Sequence, residues 1–95
     1  RANGADVMRE SDIEDCLVRR AKQLGGEVRK LRWIGRRGAP DRVVFLPGSR
    51  LYWVELKRPG GTAEPHQARE HARMRGMGQR VVVVDSLAAI DALLT

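Results

Sequence analysis

Two short apolar runs joined by a tight turn constrain the fold more than any other part of the chain. Residues 41–46 and 50–57 are rich in Val, Leu and aromatic side chains, and the turn residues Pro47-Gly48-Ser49 separate them. Runs of this length on either side of a Pro-Gly turn predict an antiparallel β-hairpin. The remaining elements are assigned on either side of this hairpin along the chain.

Helices and two more strands are predicted on both sides of the hairpin. Residues 11–24 carry apolar side chains at helical spacing after Ser11, and Gly25-Gly26 ends that helix. Residues 27–34 predict a first strand, and residues 62–77 a second helix, whose first turn tolerates Pro65. Four consecutive valines within 80–85 predict a central strand buried on both faces, and Ser86 caps a last helix.

The element order is therefore α-β-β-β-α-β-α, which predicts a single α/β domain: a small mixed sheet flanked by helices. The 95 residues suffice for one compact domain and are too few for two. Residues 8–95 form this predicted domain. Residues 1–7, which precede Met8, match no structural pattern and are expected to be a disordered or expression-derived leader.

The charge of the chain points to an anionic partner. Fifteen Arg and three Lys against twelve Asp and Glu give a formal net charge of +6. A basic, arginine-rich domain is typical of nucleic-acid binders, although a basic but inert surface has the same composition. One cysteine, Cys16, excludes an internal disulfide. No apolar run approaches the length of a membrane span, so no membrane partner and a cytoplasmic location are expected.

A charged pair on the third predicted strand indicates chemistry. Glu55 and Lys57 are two residues apart and share one face, and Asp41 opens the neighbouring strand about 5 Å away. Two converging carboxylates suit Mg²⁺ or Mn²⁺, and the backbone carbonyl of Leu56 could supply a third oxygen. Lys57 could then orient the attacking water or stabilise charge on a phosphate. The alternative is a plain salt bridge on a solvated strand.

The combination of these motifs resembles a known family. An acidic residue in the first helix, the Gly38-Ala39-Pro40-Asp41 turn, the Glu55-Leu56-Lys57 strand and a Gln in the following helix occur in the order seen in the virus-type replication-repair nuclease (VRR-NUC) domain. That domain belongs to the PD-(D/E)xK superfamily, whose core resembles restriction endonucleases. The resemblance covers nearly the whole chain, from Glu14 to the last helix.

The resemblance implies roles for individual residues. Asp41 and Glu55 are implied as metal-binding carboxylates, Lys57 as the catalytic lysine, and Gln67 as its neighbour in the active site. Glu14 is implied as the first-helix glutamate that reaches the metal. Ser11 and Glu14 also have the spacing of a capping box, but Glu14 lies along the apolar arc of the helix, which favours the metal role.

Further residues around these positions are also assigned from the sequence. Arg36, Arg37 and Arg58 bracket the site in sequence and are predicted to bind phosphates. His71 is predicted to be a partly buried, hydrogen-bonded histidine. Trp33 and Trp53 could stack on an unpaired base, but core packing is predicted for both.

The predicted function is a Mg²⁺- or Mn²⁺-dependent endonuclease. The resemblance implies a homodimer acting on branched DNA such as Holliday junctions. Two alternatives stay open: a non-catalytic basic DNA-binding module, and a nuclease acting on linear duplex or RNA.

Overall fold

A computed structural model describes residues 8–95, and the predicted leader over residues 1–7 lies outside the described residues. The observed elements follow the predicted order: α1 (Glu10–Gln23), β1 (Glu27–Lys30), β2 (Arg42–Leu46), β3 (Arg50–Leu56), α2 (Pro65–Gly76), β4 (Val81–Val84) and α3 (Leu87–Leu94). The strands form one sheet in the order β1-β2-β3-β4. Only β3 and β4 pair in parallel, so the sheet is mixed, and the predicted α/β fold is confirmed.

The main core lies between the sheet and the helices α1 and α3. Even-numbered side chains of β2 and β3 point into it together with one apolar stripe from each helix. Its fully buried members include Ile13, Leu17, Val44, Val54 and Ile90. Odd-numbered β3 residues point to the opposite face, because successive side chains of a strand alternate. Helix α2 packs on that second face, and its buried residues are Glu70, His71 and Met74.

Two sequence predictions about strands are wrong. The first strand was expected over residues 27–34 but ends at Lys30, and the chain continues as a loop in which Gly35 and Gly38 both have positive φ. The valine strand was expected in the centre of the sheet, whereas β4 is an edge strand of the described sheet. Helices on both faces bury its first and last valines. A continuous apolar run therefore does not require a paired strand on each side.

The helix ends differ slightly from prediction. Helix α1 begins at Glu10, and the backbone N–H of Arg9 donates to Asp12 Oδ2 at 2.8 Å, so Ser11 is not the N-cap. Helix α2 begins at Pro65 rather than at residue 62, with the Glu64 N–H donating to Gln67 Oε1 at 2.9 Å. Ser86 does cap α3, accepting from the Ala89 N–H at 3.0 Å. No helix in the described part of the chain is long and apolar enough to cross a membrane.

Candidate active site

Asp41 lies directly across the hairpin from Glu55. Arg42 pairs with Val54 in the β2–β3 register, so the next pair, toward the open end of the hairpin, is Asp41 with Glu55. Asp41 Oδ1 accepts a hydrogen bond from the Leu56 N–H at 3.2 Å, and Asp41 Oδ2 lies 3.4 Å from Arg42 Nη1. Both carboxylate oxygens therefore have a partner, which orients Asp41 toward the end of β3.

Glu55 is a buried carboxylate with one oxygen left over. Its Oε2 accepts from Gln67 Nε2 at 3.1 Å and lies 3.8 Å from Lys57 Nζ. Its Oε1 is buried and has no hydrogen-bond partner in the described chain. Burial, and secondly the charge of Asp41, raise the pKa of Glu55 to about 7, although Lys57 and Gln67 oppose the shift. A cation coordinated by the unpaired oxygen would stabilise the buried negative charge of such a carboxylate.

Lys57 and Gln67 form the other half of the site. Lys57 Nζ donates to Gln67 Oε1 at 2.8 Å, and the backbone N–H of Lys57 donates to the Val84 carbonyl at 3.0 Å. Gln67 lies in the first turn of α2 and contacts both Lys57 and Glu55. The start of α2 therefore sets the position of the ammonium group beside the buried carboxylate.

His71 lies beside Glu55 in the protein interior. It is 1% exposed, and its Nε2 lies 3.8 Å from Glu55 Oε1 without a hydrogen-bond partner among the described residues. Burial, and secondly the charge of Arg75, lower the pKa of His71, so the ring is neutral near pH 7. The predicted partly buried, hydrogen-bonded histidine is thus wrong on burial, and its Nε2 is unpaired.

The donor set fits a hard divalent cation held by few protein ligands. Asp41 and Glu55 face each other, and a buried Glu55 oxygen is unpaired. Within residues 8–95, no three His, Cys, Asp or Glu side chains lie close enough to hold a metal ion by themselves. Mg²⁺ typically takes one or two carboxylates and completes its shell with water, so two carboxylates suffice. The expected trio of Glu14, Asp41 and Glu55 is not assembled.

Glu14 instead binds arginine. Its Oε2 accepts from Arg42 Nε at 2.8 Å and from Arg42 Nη2 at 2.6 Å, and Lys30 Nζ lies 3.9 Å away. Arg42 is only 12% exposed in its side chain and also donates to the Asp41 carbonyl at 3.0 Å. Glu14 therefore neither caps α1 nor reaches Glu55. It anchors the arginine that orients Asp41.

Glu10 is a first-helix carboxylate that shares a cleft with Lys57, and the sequence analysis missed it. It lines a cleft of about 360 Å³ with Lys57, Arg58 and Glu64, and its charge contributes to raising the pKa of Glu55. A signal was present in the sequence. Glu10 continues the buried stripe of Ile13, Leu17 and Ala21 at i−3, whereas Glu14 falls at its edge.

The three predicted phosphate-binding arginines lie in different settings. Arg36 is paired: its Nε and Nη2 lie 3.1 and 3.0 Å from the oxygens of buried Glu70. Arg73 binds the same carboxylate, and hydrogen bonds first from Arg73 and then from Arg36 lower the pKa of Glu70 to about 2. Arg37 and Arg58 are exposed, and Arg58 lines the cleft beside Lys57.

The chain is similar to proteins that are named as nucleases. It is 45% identical over 80 residues to the predicted nuclease p44 of Acyrthosiphon pisum secondary endosymbiont phage 1, covering 84% of this chain and 86% of that protein. A solved structure described as a VRR_NUC domain has a TM-score of 0.81 and 41% identity, covering 92% of this chain and 95% of the other. No family model matches the chain.

Proposed function

Because the chain belongs to the VRR-NUC family of nucleases, we propose that it is a Mg²⁺- or Mn²⁺-dependent endonuclease that hydrolyses phosphodiester bonds in branched DNA. One observation carries the proposal. Asp41, buried Glu55 and Lys57 converge at one end of β3, and Glu55 Oε1 is unpaired there. A buried carboxylate oxygen without a partner is costly in a merely structural role.

Asp41 and Glu55 would hold the cation, with the Leu56 carbonyl as a further protein ligand and Glu10 approaching through water from the open cleft. When bound, the cation would lower the pKa of water and neutralise charge on the phosphoryl group. Leu56 and Arg42 keep the Asp41 carboxylate in place. Gln67 holds the Lys57 ammonium where it can orient the attacking water or stabilise charge on the phosphate.

The DNA substrate and the homodimer are further parts of the proposal. The net charge of +6 and the exposed Arg37 and Arg58 near the site suit a polyanionic backbone. Two copies would place one active site on each of two strands at a junction. Size-exclusion chromatography with light scattering is expected to give twice the mass of one chain.

Cleavage of labelled DNA tests the proposal. We expect Mg²⁺ or Mn²⁺ to support cutting of a four-way junction, and EDTA to stop it. Flap, linear duplex and RNA substrates of matched length serve as comparisons. Ordinary binding without any metal-dependent cut would indicate a non-catalytic DNA-binding module. Cutting confined to linear duplex or RNA would overturn the branched substrate and leave the nuclease.

Glu10 and Glu14 offer a matched pair of substitutions one helical turn apart. Glu10→Gln is expected to slow cleavage about tenfold and leave thermal stability unchanged, because Glu10 is exposed in the cleft. Glu14→Gln is expected to lower the melting temperature by roughly 5–15 °C, because it removes the carboxylate that binds Arg42. Cleavage assays and thermal melts measure both. A larger cleavage defect for Glu14→Gln at full stability would restore its predicted metal role.

A further inference from the structure

An exposed apolar pair projects from the loop between β1 and β2. Ile34 is 96% exposed, the most exposed large apolar side chain in the described part of the chain, and neighbouring Trp33 is 38% exposed. Core packing was predicted for Trp33, and that prediction is wrong. The Trp33 ring contacts Trp53 instead, with centroids 5.6 Å apart and planes tilted by 52°. One side of the Trp33 ring thus rests on the sheet, and the rest faces solvent.

The loop that carries this pair is firmly anchored. The Leu31 N–H donates to the Asp41 carbonyl at 2.9 Å, and Trp33 Nε1 donates to the Pro40 carbonyl at 2.8 Å. Gly38 packs against α2 so closely that a Cβ there would lie 2.7 Å from the His66 carbonyl oxygen. The Arg36–Glu70 pair adds a fourth contact. Ile34 therefore projects from a defined position.

The position of the pair is next to the active site. Trp33 binds the carbonyl of Pro40, the residue before Asp41, and Trp53 shares the β3 face of Glu55. Arg32 and Arg37 are exposed in the same loop. An exposed apolar pair flanked in sequence by exposed arginines suits a ligand with stacked apolar rings and an anionic backbone, which is the chemistry of a nucleic acid.

We propose that Trp33 and Ile34 form a wedge that recognises unstacked bases at the branch point of DNA. Ile34 inserts at an open base step, and the face of Trp33 stacks on the base that is released. This inference rests on the proposed DNA substrate and names the residues by which the protein would distinguish branched DNA from linear duplex. Fully paired duplex offers no open step, so the wedge favours branched or bulged DNA over linear duplex.

Binding in EDTA, where no cleavage occurs, tests the wedge independently of nuclease activity. The probes are a four-way junction with 2-aminopurine at its branch point and a linear duplex of equal length. Ile34→Ser is expected to weaken junction binding about tenfold and duplex binding less than about twofold. It also removes most of the 2-aminopurine fluorescence increase that the native protein causes. Leu87→Ser, which changes an exposed apolar residue on α3, is the control and is expected to bind both DNAs like the native protein.

A second substitution separates the Trp33 ring from its hydrogen bond. Trp33→Phe keeps an aromatic face but loses the bond to Pro40, and is expected to bind the junction several-fold more tightly than Trp33→Ala. Equal effects of Ile34→Ser on junction and duplex, or none on either, would overturn the wedge. So would a halved mass of Ile34→Ser in light scattering with unchanged DNA binding, which would assign Ile34 to a contact between two copies. If the native protein cut no DNA but still bound the junction more tightly than the duplex, the nuclease would be overturned and the wedge would stand.

Discussion

Replacing Lys57 with alanine is expected to slow single-turnover cleavage about a thousandfold and to leave DNA binding within about twofold of the native protein. The ammonium is held by Gln67 beside Glu55, so the substitution removes the group that is proposed to orient water or stabilise the phosphate. Binding changes little because Lys57 is one of eighteen basic residues. Cleavage at saturating protein and fluorescence anisotropy in EDTA measure the two quantities.

Arg58→Ala is the matched control for Lys57→Ala. Arg58 is the next residue, lines the same cleft and is exposed. It is expected to weaken binding several-fold and to change the cleavage rate at saturation less than about threefold. If Lys57→Ala lost rate and affinity in equal measure, Lys57 would be a phosphate contact and not a catalytic residue.

Glu55→Gln is expected to abolish cleavage and yet to stabilise the metal-free protein at pH 8. Glu55 has its pKa raised from an ordinary 4.5 to about 7. A raised carboxyl pKa contributes stability that is fully present below pH 4.5 and is lost as pH rises through about 7. Above that pH the native protein holds a buried negative charge next to Asp41, which Gln removes. We expect the melting temperature in EDTA to rise by roughly 5 °C, with the lost attraction to Lys57 limiting the gain.

The same variant reports on metal binding. Mn²⁺ is expected to raise the melting temperature of the native protein at pH 8 and to leave that of Glu55→Gln nearly unchanged, because the proposed site would exist only in the folded protein and would need the Glu55 carboxylate. Asp15→Asn, which changes an exposed carboxylate on α1, is expected to behave like the native protein with and without Mn²⁺. An equal Mn²⁺ effect on native protein and Glu55→Gln would remove Glu55 from the metal site.

Strand geometry made much of the site predictable. The alternation of side chains along β3 places Glu55 and Lys57 on one face, and the Pro47-Gly48-Ser49 turn sets a register that brings Asp41 across from Glu55. The inward position of Gln67 followed from helical spacing and family resemblance. The positions of Asp41, Glu55 and Lys57 depend on local strand geometry, which side-chain alternation and a short turn determine.

Contacts between distant segments were not predictable in the same way. The pairing of Glu14 with Arg42 and of Arg36 with Glu70 depends on how helices settle on the sheet. The predicted N-cap, Ser11, lies two residues after the observed N-cap, Arg9, and this error was enough to hide Glu10, because Ser11 has the chemistry of an N-cap and Arg9 does not. The run of valines in β4 likewise indicates that the strand is buried, but it does not indicate whether the strand is central or at the edge of the sheet.

The sheet separates two kinds of surroundings along a single strand. Val54 and Leu56 of β3 face the main core, whereas Trp53 and Glu55 between them face the active-site side. A substitution at Val54 or Leu56 therefore acts first on the packing under α1 and α3, whereas a substitution at Trp53 or Glu55 acts first on the site.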